Sequence, residues 1–359
     1  MSDDSRVLIF SDLHCHPLKR KYERLQDCLD VLDWVFKTAN ERDISNILFC
    51  GDLFHDRQKI DVWTYQKVFE IFLKHSGDFE PNVYLLLGNH DLWHAEKWDI
   101  SSVIPMRAIP GVTVVDRPCA IKVAGVEVGF LPYTHNPIED LKKIDIKSKF
   151  KILCAHAAVD GAIWNVNYGT KAEVSIEHDG DMMKITPDVF DEYNQVFLGH
   201  YHAAQNLTAT VEYVGSPLEL NFGEANQKKH IIEYDLKTHD KKYIENKFSP
   251  KHLTFKEGDD ILSFDLEKNF IRIESSDLAS SDIIGLKNDI INAKVGSLEI
   301  KPIRTKIEDD KKSVADAKSI LSSGDQMLET YVDCTDLAGL DRTMVLEIGR
   351  KCVIKTEDN

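Results

Sequence analysis

Five short motifs along this 359-residue chain combine aspartate, asparagine and histidine side chains. Such carboxylate, amide and imidazole groups are hard or borderline metal ligands, and none of the candidate ligands is a thiolate. Alone, each motif is equally typical of a turn or of a hydrogen-bonded histidine, whereas all five in this order indicate a metal site. The motifs are Ser11-Asp12-Leu13-His14, Gly51-Asp52-Leu53-Phe54-His55-Asp56, Gly88-Asn89-His90-Asp91, His156 and Gly199-His200-Tyr201-His202.

Each motif directly follows a short apolar run that predicts a buried β-strand. Continuous runs of this kind are typical of strands covered on both faces, as in the sheets of α/β proteins. Because ligands of these sheets bind beyond the carboxyl ends of the strands, we expect the five motifs to meet at one edge. The runs are RVLIF, NILFC, VYLLL, KILCA and QVFL.

Two amphipathic helices are predicted to cover this sheet. Apolar residues from Tyr22 to Phe36 recur at helical spacing, and a second helix is predicted near Val62–His75. The second helix is apolar on more than one face. Its excess apolar side chains either complete the core or, for two or three of them, form a homodimer surface.

The remaining strand patterns predict a second sheet and a separate small unit. Between Val112 and Leu131 the alternation of apolar and polar residues predicts a hairpin in the second sheet. The segment HIIEYDL alternates as an edge strand, and the first domain is expected to end near residue 245. Residues 250–308 show a β-α-β pattern, with strands FIRIES and SLEIKPIRTKI on either side of a helix at Ser281–Lys294.

The carboxyl-terminal part of the chain has the pattern of a linker followed by a docking segment. Residues 309–324 are charged and small, which predicts a flexible linker. Two short apolar stripes follow within residues 325–359, and helices this short are marginal alone. Docking on a partner protein explains them better than packing back on the parent domain, which is the alternative. The stripes are Met327, Leu328, Tyr331 and Val332, and then Leu340, Met344, Val345 and Ile348.

Composition places the chain among soluble globular proteins. Its hydrophobic content is 43%, and we expect neither a signal peptide nor a membrane-spanning segment, because no apolar run has the required length. The seven cysteines form no C-x-x-C pair, which predicts reduced thiols and no structural zinc site. The expected location is the cytoplasm, or the host cytoplasm for a phage-encoded protein.

The net charge of −16 argues against a simple nucleic-acid binder, because such proteins are usually basic. Bound divalent cations reverse the sign of the field at a site, and a partner protein can supply further phosphate binding. The run Lys19–Lys21 is explained equally well by phosphate contacts and by a solvated helix start. The candidate phosphate contacts are Lys19, Arg20, Lys21 and Arg57.

The five motifs together resemble those of calcineurin-like metallophosphoesterases over about residues 6–223. Within that superfamily, His55 after G-D-L-F and the long carboxyl-terminal extension are similar to SbcD-type nucleases. These are the bacterial and phage counterparts of the nuclease in the eukaryotic MRN break-repair complex. The resemblance implies an α/β fold with a two-sheet β sandwich flanked by helices, a small α/β capping domain and carboxyl-terminal helices. The expected boundaries are 1–245 for the nuclease domain, 250–308 for the cap, 309–324 for the linker and 325–359 for the helical segment.

The same resemblance implies a two-ion site and a role for each motif residue. Asp52, at the end of the middle strand, would bridge the ions. His90 would donate a proton or stabilise the transition state, with Asp91 as its orienter, and His55 would position the scissile phosphate. One ion would take Asp12, His14, Asp52 and His202, and the other Asp52, Asn89, His156 and His200.

The function implied by the resemblance is a DNA nuclease that uses two Mn²⁺ ions, with Mg²⁺ as the alternative metal. It would act as an exonuclease on duplex ends and an endonuclease on single strands, as a homodimer. The chain has no G-x-x-x-x-G-K-[ST] sequence, so an ATPase would be a separate polypeptide, an SMC-like coiled-coil protein of the SbcC type. The alternatives are a phosphoesterase acting on small nucleotides or phosphoproteins and a non-catalytic scaffold, which the intact ligand set disfavours.

Overall fold

The computed structural model describes residues 5–17, 22–77, 81–94, 97–165, 170–172, 174–178, 181–256, 258–275, 281–302 and 342–346. The chain forms two compact units, Met1–Pro302 and Ile303–Asn359. In the second unit the described residues form a short helix over 342–346, in which Met344 is 63% exposed. The predicted linker and the rest of the predicted docking segment lie outside the described residues.

The first unit is built mainly from short strands, with few helices. No helix in the described part of the chain is both long and apolar enough to span a membrane. The helices are α1 (Tyr22–Glu41), α2 (Val62–Lys74), α3 (Pro137–Leu141) and α4 (Ser281–Asn292). The strands are β1 (Arg6–Phe10), β2 (Asn46–Phe49), β3 (Asn82–Leu86), β4 (Leu92–His94), β5 (Lys97–Ser101), β6 (Val112–Val115), β7 (Cys119–Val123), β8 (Val126–Leu131), β9 (Ile152–His156), β10 (Ile163–Asn165), β11 (Thr170–Lys171), β12 (Ser175–His178), β13 (Asp181–Lys184), β14 (Gln195–Gly199), β15 (Gln205–Asn206), β16 (Val211–Tyr213), β17 (His230–Asp235), β18 (Lys241–Glu245), β19 (His252–Lys256), β20 (Phe270–Ser275) and β21 (Ser297–Pro302).

Two six-stranded sheets make up the centre of this unit. The first has the order β18-β17-β1-β2-β3-β6, and its strands β1, β2, β3 and β6 run parallel. The second has the order β15-β16-β14-β9-β8-β7, with β8, β9, β14 and β16 parallel. The predicted hairpin is β7 and β8, which pair antiparallel in this second sheet.

The two sheets pack face to face because alternate residues of each strand point to opposite sides. On β1, Val7 and Ile9 join Phe130 and Phe197 of the second sheet in a core between the sheets. Their neighbour Leu8 belongs instead to the core beneath α1 and α2. The outer face of the second sheet is covered by α3 and by the chain around residues 185–193. The predicted α/β sandwich flanked by helices is therefore confirmed.

The expectation that HIIEYDL forms an edge strand is wrong. This segment is β17, which pairs with β1 on one side and with β18 on the other, so that β18 is the edge. Its alternating polar residue Glu233 is 3% exposed and pairs with Arg6 and Arg42. The polar position therefore marks a buried carboxylate that pairs with two partly exposed arginines.

A smaller layer follows the sandwich. Strands β19, β20 and β21 form a parallel sheet, and α4 connects β20 to β21, as the β-α-β pattern predicts. Its own apolar cluster includes Phe255, Ile271 and Ile290. This layer belongs to the same compact unit as the sandwich, which ends at Pro302. The boundaries of the capping domain, 250–308, therefore stay a prediction.

Two neighbouring isoleucines of α4 test how this layer is packed. Ile290 is fully buried, whereas Ile291 is 51% exposed. Ile290→Ala should lower the free energy of unfolding by about 2–5 kcal/mol, because it leaves a cavity in the core. Ile291→Ala, the matched control, should change it by less than about 0.5 kcal/mol. Urea unfolding followed by circular dichroism measures both values, and equal effects would contradict the packing.

Candidate metal centre

The structure brings the five motifs to one place between the two sheets. Parallel β1, β2 and β3 of the first sheet lead directly to the motifs containing Asp12, Asp52 and Asn89. Parallel β9 and β14 of the second sheet end at His156 and Gly199. Because all five strands present carboxyl ends, the sandwich collects their exit residues at a common edge.

The predicted ligands fall into two clusters of side chains. In each, the candidate ligand atoms all lie within 4.8 Å of one another. His14 of the first cluster also groups with His55 and His90, the two predicted catalytic histidines. The two clusters are Asp12, His14 and His202, and Asp52, His156 and His200.

Asp52, a member of the second cluster, also lies close to the first. Its Oδ2 atom is 3.5 Å from His14 Nε2 and 3.4 Å from His156 Nε2. The carboxyl group is 1% exposed. Burial by itself raises the pKa of Asp52, but the charge of His156 and its hydrogen bond to the carboxylate outweigh burial and hold that pKa well below its usual range. One ionised carboxylate thus faces both histidine groups, as a bridging ligand must.

Asn89 contacts both histidines of the second cluster. The Asn89 Oδ1 atom lies 2.9 Å from His156 Nε2 and 2.9 Å from His200 Nδ1. The His156 Nδ1–H donates to the Cys50 carbonyl oxygen at 2.7 Å, which leaves Nε2 as the nitrogen available to a metal.

The first cluster presents two imidazole nitrogens to each other. His14 Nε2 and His202 Nε2 are 3.1 Å apart. Burial lowers the pKa of His14 well below its usual value, whereas at His202 the Glu224 carboxylate outweighs burial and raises the pKa. Converging imidazoles beside buried carboxylates fit a divalent cation, because a cation binds the ring lone pairs and balances the carboxylates.

Four of the predicted ligands have a left-handed backbone. The φ angles are 53° at Asp12, 49° at His14, 63° at Asp52 and 110° at His200. Non-glycine residues rarely adopt positive φ, and such strain concentrates where the surrounding structure requires a particular side-chain direction. Four of the ten non-glycine residues with positive φ in the described part of the chain are thus predicted ligands.

Glycine is required at two positions where chain segments approach closely around the predicted ligands. A Cβ atom at Gly88 would overlap the Asp52 carboxylate, and one at Gly199 would overlap the Cys50 carbonyl and the Ser11 hydroxyl. Both glycines immediately precede predicted ligands, Asn89 and His200. The glycines of G-N-H-D and G-H-x-H thus allow the ligands to converge.

The model of the calcineurin-like phosphoesterase family matches residues 5–204 of this chain. The chain belongs to this family. The matched range contains all five motifs. Members of the family are metal-dependent phosphoesterases, and the histidine and aspartate clusters described above are candidate metal-binding groups.

Three viral proteins are similar to this phosphoesterase. "Exonuclease subunit 1" of Enterobacteria phage T4 is 22% identical over 324 residues, which are 86% of this chain and 87% of the relative. "Uncharacterized protein R555" of Acanthamoeba polyphaga mimivirus is 24% identical over 66% of this chain, which spans only 18% of that protein. "Putative phosphoesterase 244L" of Invertebrate iridescent virus 6 is 23% identical over 64% of this chain and 76% of the relative.

Asp91 of this phosphoesterase fixes the backbone of two motifs. Its fully buried carboxylate accepts hydrogen bonds from the backbone N–H groups of Gly88, Asp52, Leu53 and Phe54, at 2.9–3.3 Å. The sequence predicted that Asp91 orients His90. In the structure its carboxylate holds the backbone of the loop that carries Asp52, and its role toward the neighbouring His90 stays a prediction.

The His90 ring is held by His55. Its Nδ1 is at hydrogen-bond distance from the His55 carbonyl oxygen, so Nδ1 carries the proton and Nε2 is the atom that can accept or donate one. The His90 backbone N–H also donates to Asp52 Oδ1 at 2.7 Å. His16, which the sequence reasoning missed, stacks on His55 with ring centroids 4.3 Å apart. It is visible in the sequence only as the second histidine of H-C-H.

Glu224 and Lys229 support His202 and were also missed. Glu224 Oε1 accepts from His202 Nδ1 at 2.9 Å, and Glu224 Oε2 accepts from Lys229 Nζ at 2.7 Å. Lys229 is 3% exposed and donates as well to the His202 carbonyl and the Ser216 hydroxyl. Because these residues lie 22 and 27 positions after His202, no local spacing in the sequence indicated them.

A cavity of about 630 Å³ opens beside His200 and His202. Lys171 lines it and was not singled out from the sequence. Among the predicted phosphate contacts, Arg57 is exposed and lies near Tyr133. Burial raises the pKa of Tyr133, and the charge of Arg57 partly offsets this rise. Tyr133 stacks on His200 at 6.3 Å. Lys19, Arg20 and Lys21 lie outside the described residues.

Glu224→Gln tests whether this buried network prepares His202 for a metal. The change removes the charge that fixes the His202 tautomer, so affinity for one divalent ion should fall by about 10–100-fold. Calorimetric titration of the metal-free protein with Mn²⁺ measures it. Glu212→Gln is the matched control, because Glu212 is 4% exposed and pairs with Lys241 on another part of the sheet. Equal losses in the two variants would show only a general effect of buried charge.

Proposed function

We propose that this chain is the Mn²⁺-dependent DNA nuclease subunit of an SbcCD/MRN-like recombination and break-repair complex. It would cleave phosphodiesters as an exonuclease on duplex ends and an endonuclease on single strands. The observation that carries the proposal is the arrangement of both predicted ligand clusters around Asp52. Similarity to a phage exonuclease subunit over 86% of the chain supports DNA as the substrate.

In the proposed site, Asp12, His14, Asp52 and His202 hold one ion, and Asp52, Asn89, His156 and His200 hold the other. Two such ions activate water and stabilise the charge that develops on the phosphate. The remaining work belongs to the chain itself. Asp91 fixes the backbone around Asp52, and Glu224 fixes the His202 ring. His90, held through Nδ1, gives or takes a proton at Nε2.

An exposed aromatic side chain beside the site supports a polynucleotide substrate. Trp93 is 45% exposed on β4 and follows Asp91 by two residues, so their Cα atoms are at most about 7 Å apart. Ile100 on the paired strand β5 is 51% exposed. Unpaired bases stack on such aromatic groups, whereas a small phosphate ester gains little from them.

The proposed partners are DNA, a second copy of this chain and an SMC-like coiled-coil ATPase. Three large apolar side chains of α2 are exposed, Val62 by 80%, Trp63 by 53% and Leu73 by 52%, and they support the homodimer surface predicted from the sequence. The ATPase would bind the segment 325–359. The similar protein of phage T4 is named as one subunit of an exonuclease, which supports a proposal that this chain works in a complex.

The second candidate is a phosphoesterase acting on small nucleotides or phosphoproteins. Similarity to a relative named only as a phosphoesterase, together with the net charge of −16, favours this alternative. Labelled linear duplex and single-stranded DNA, incubated with Mn²⁺ or Mg²⁺ and with or without the ATPase, separate the two. Hydrolysis of a small phosphodiester without cleavage of either DNA would contradict the nuclease.

Substitutions at Asp52 and His90 separate metal binding from chemistry. Asp52→Ala should abolish DNA cleavage and reduce the metal content, because it removes the shared ligand. His90→Ala should retain both ions but lower turnover by about 10²–10⁴-fold, the usual loss with a general acid or base. Metal analysis and single-turnover cleavage measure these effects. Metal loss in His90→Ala would mean that His90 is a ligand.

Trp93→Ala tests the proposed stacking surface. Loss of one stacked base costs about 1–3 kcal/mol, so the Kd for single-stranded DNA should rise by about 5–150-fold. Hydrolysis of bis-p-nitrophenyl phosphate should be unchanged. Phe264→Ala, which removes a 54% exposed aromatic side chain from the small layer, is the matched control for DNA binding. Unaltered DNA affinity in Trp93→Ala would remove this surface from the substrate path.

A further inference from the structure

A second cavity, of about 660 Å³, lies within the first unit away from the metal motifs. It is enclosed by α1, by residues 220–222 and by the small sheet with its preceding turns. None of the predicted metal ligands lines it. The residues that determine its chemistry are Arg24, Asp27, Phe222, Lys268, Phe270 and Lys294.

Arg24 is the buried charge of this cavity. It is 2% exposed, and its Nη2 donates to the Glu219 carbonyl oxygen at 2.9 Å. Its Nε and Nη1 atoms have no hydrogen-bond partner among the described residues. Nη1 lies 3.7 Å from Asp27 Oδ2, which is an ion pair beyond hydrogen-bond distance. A guanidinium remains charged in proteins, so unused buried donors favour an anionic ligand with oxygen acceptors.

The lining is locally cationic in a chain whose net charge is −16. Arg24, Lys268 and Lys294 contribute three positive charges, against the carboxylates of Asp27 and Asp30. Burial raises the pKa of Asp27 to about 6, which still leaves the carboxyl group mostly ionised at pH 7. Both lysines are exposed, so they lie where a charged ligand would enter. This local balance favours an anion over a cation.

Two phenylalanines supply the apolar part of the cavity. The Arg24 Cζ atom lies 5.8 Å from the Phe270 ring centroid, which places the buried donors next to an aromatic ring. The Phe222 ring is held by Arg272, whose Cζ is 3.9 Å from its centroid. A ligand that satisfies both parts carries a flat ring close to an anionic group.

We propose that this cavity binds a nucleoside monophosphate. Its phosphate would accept hydrogen bonds from Arg24, with Lys268 and Lys294 at the entrance, and its base would pack against Phe222 and Phe270. Binding here uses none of the metal-motif residues, so it would hold whether or not the chain cleaves DNA.

Calorimetric titration of the full-length chain with deoxyadenosine 5′-monophosphate in EDTA tests the site without metal. Arg24→Gln should weaken binding by about 10–100-fold, the effect of losing charged hydrogen bonds. The surface variant Lys268→Ala/Lys294→Ala, which leaves the core intact, should weaken it by about 2–10-fold. Lys256→Ala/Lys287→Ala, exposed lysines of the same layer outside the cavity, is the matched control and should bind normally.

Three outcomes with the nucleotide would overturn the proposal. They are no binding at millimolar nucleotide, equal binding by the two lysine double variants, and loss of binding in His90→Ala, which would place the nucleotide at the metal motifs. Inorganic phosphate that binds as tightly as the nucleotide would also overturn it, because the aromatic wall would then contribute nothing. EDTA removes the metals that DNA cleavage needs, so this titration does not depend on nuclease activity. A failure of the nuclease proposal would be observed in the separate cleavage assay.

Discussion

The ionised carboxylate of Asp52, buried between histidines from different sheets, is the constraint on which the rest of the site depends. Its Oδ2 is 3.5 Å from His14 on the first sheet's side and 3.4 Å from His156 on the second. A buried carboxylate is costly unless it is paired and hydrogen-bonded. The two sheets must therefore meet closely enough for both partners to reach it, and Gly199 makes this approach sterically feasible, because a Cβ atom there would overlap the Cys50 carbonyl.

A second layer of buried charges keeps this arrangement in place. Asp91 accepts four backbone N–H groups and so fixes the loop that carries Asp52, while Glu224 and Lys229 fix His202 from the other side. Removal of one partner from a buried ion pair such as Glu224 and Lys229 leaves an uncompensated buried charge, which typically lowers the free energy of unfolding by about 3–5 kcal/mol. The left-handed backbone at the ligand positions is tolerated because these contacts hold the loops in one conformation.

The charges that line the second cavity differ from the average of this acidic chain. Arg24 and two lysines line that cavity, whereas the metal centre contains the carboxylates of Asp12 and Asp52, which a divalent cation would balance. A net charge of −16 thus describes the average surface and not the second cavity. Local potential near a site is set by its nearest charges, because exposed charges beyond about 8–10 Å are largely screened at physiological ionic strength.

The sequence by itself determined the five strands that lead to the motifs, the order of those motifs and the identity of the converging side chains, because apolar runs and their polar exits are local patterns. It also determined the family and the sandwich fold, whereas it misjudged β17, whose buried Glu233 resembles an exposed position. Only the tertiary structure decided the partners of Asp91, the support of His202 by Glu224 and the enclosure of Arg24. The Arg24 hydrogen bond spans 195 residues, and contacts between such distant positions leave no periodic signal along the chain.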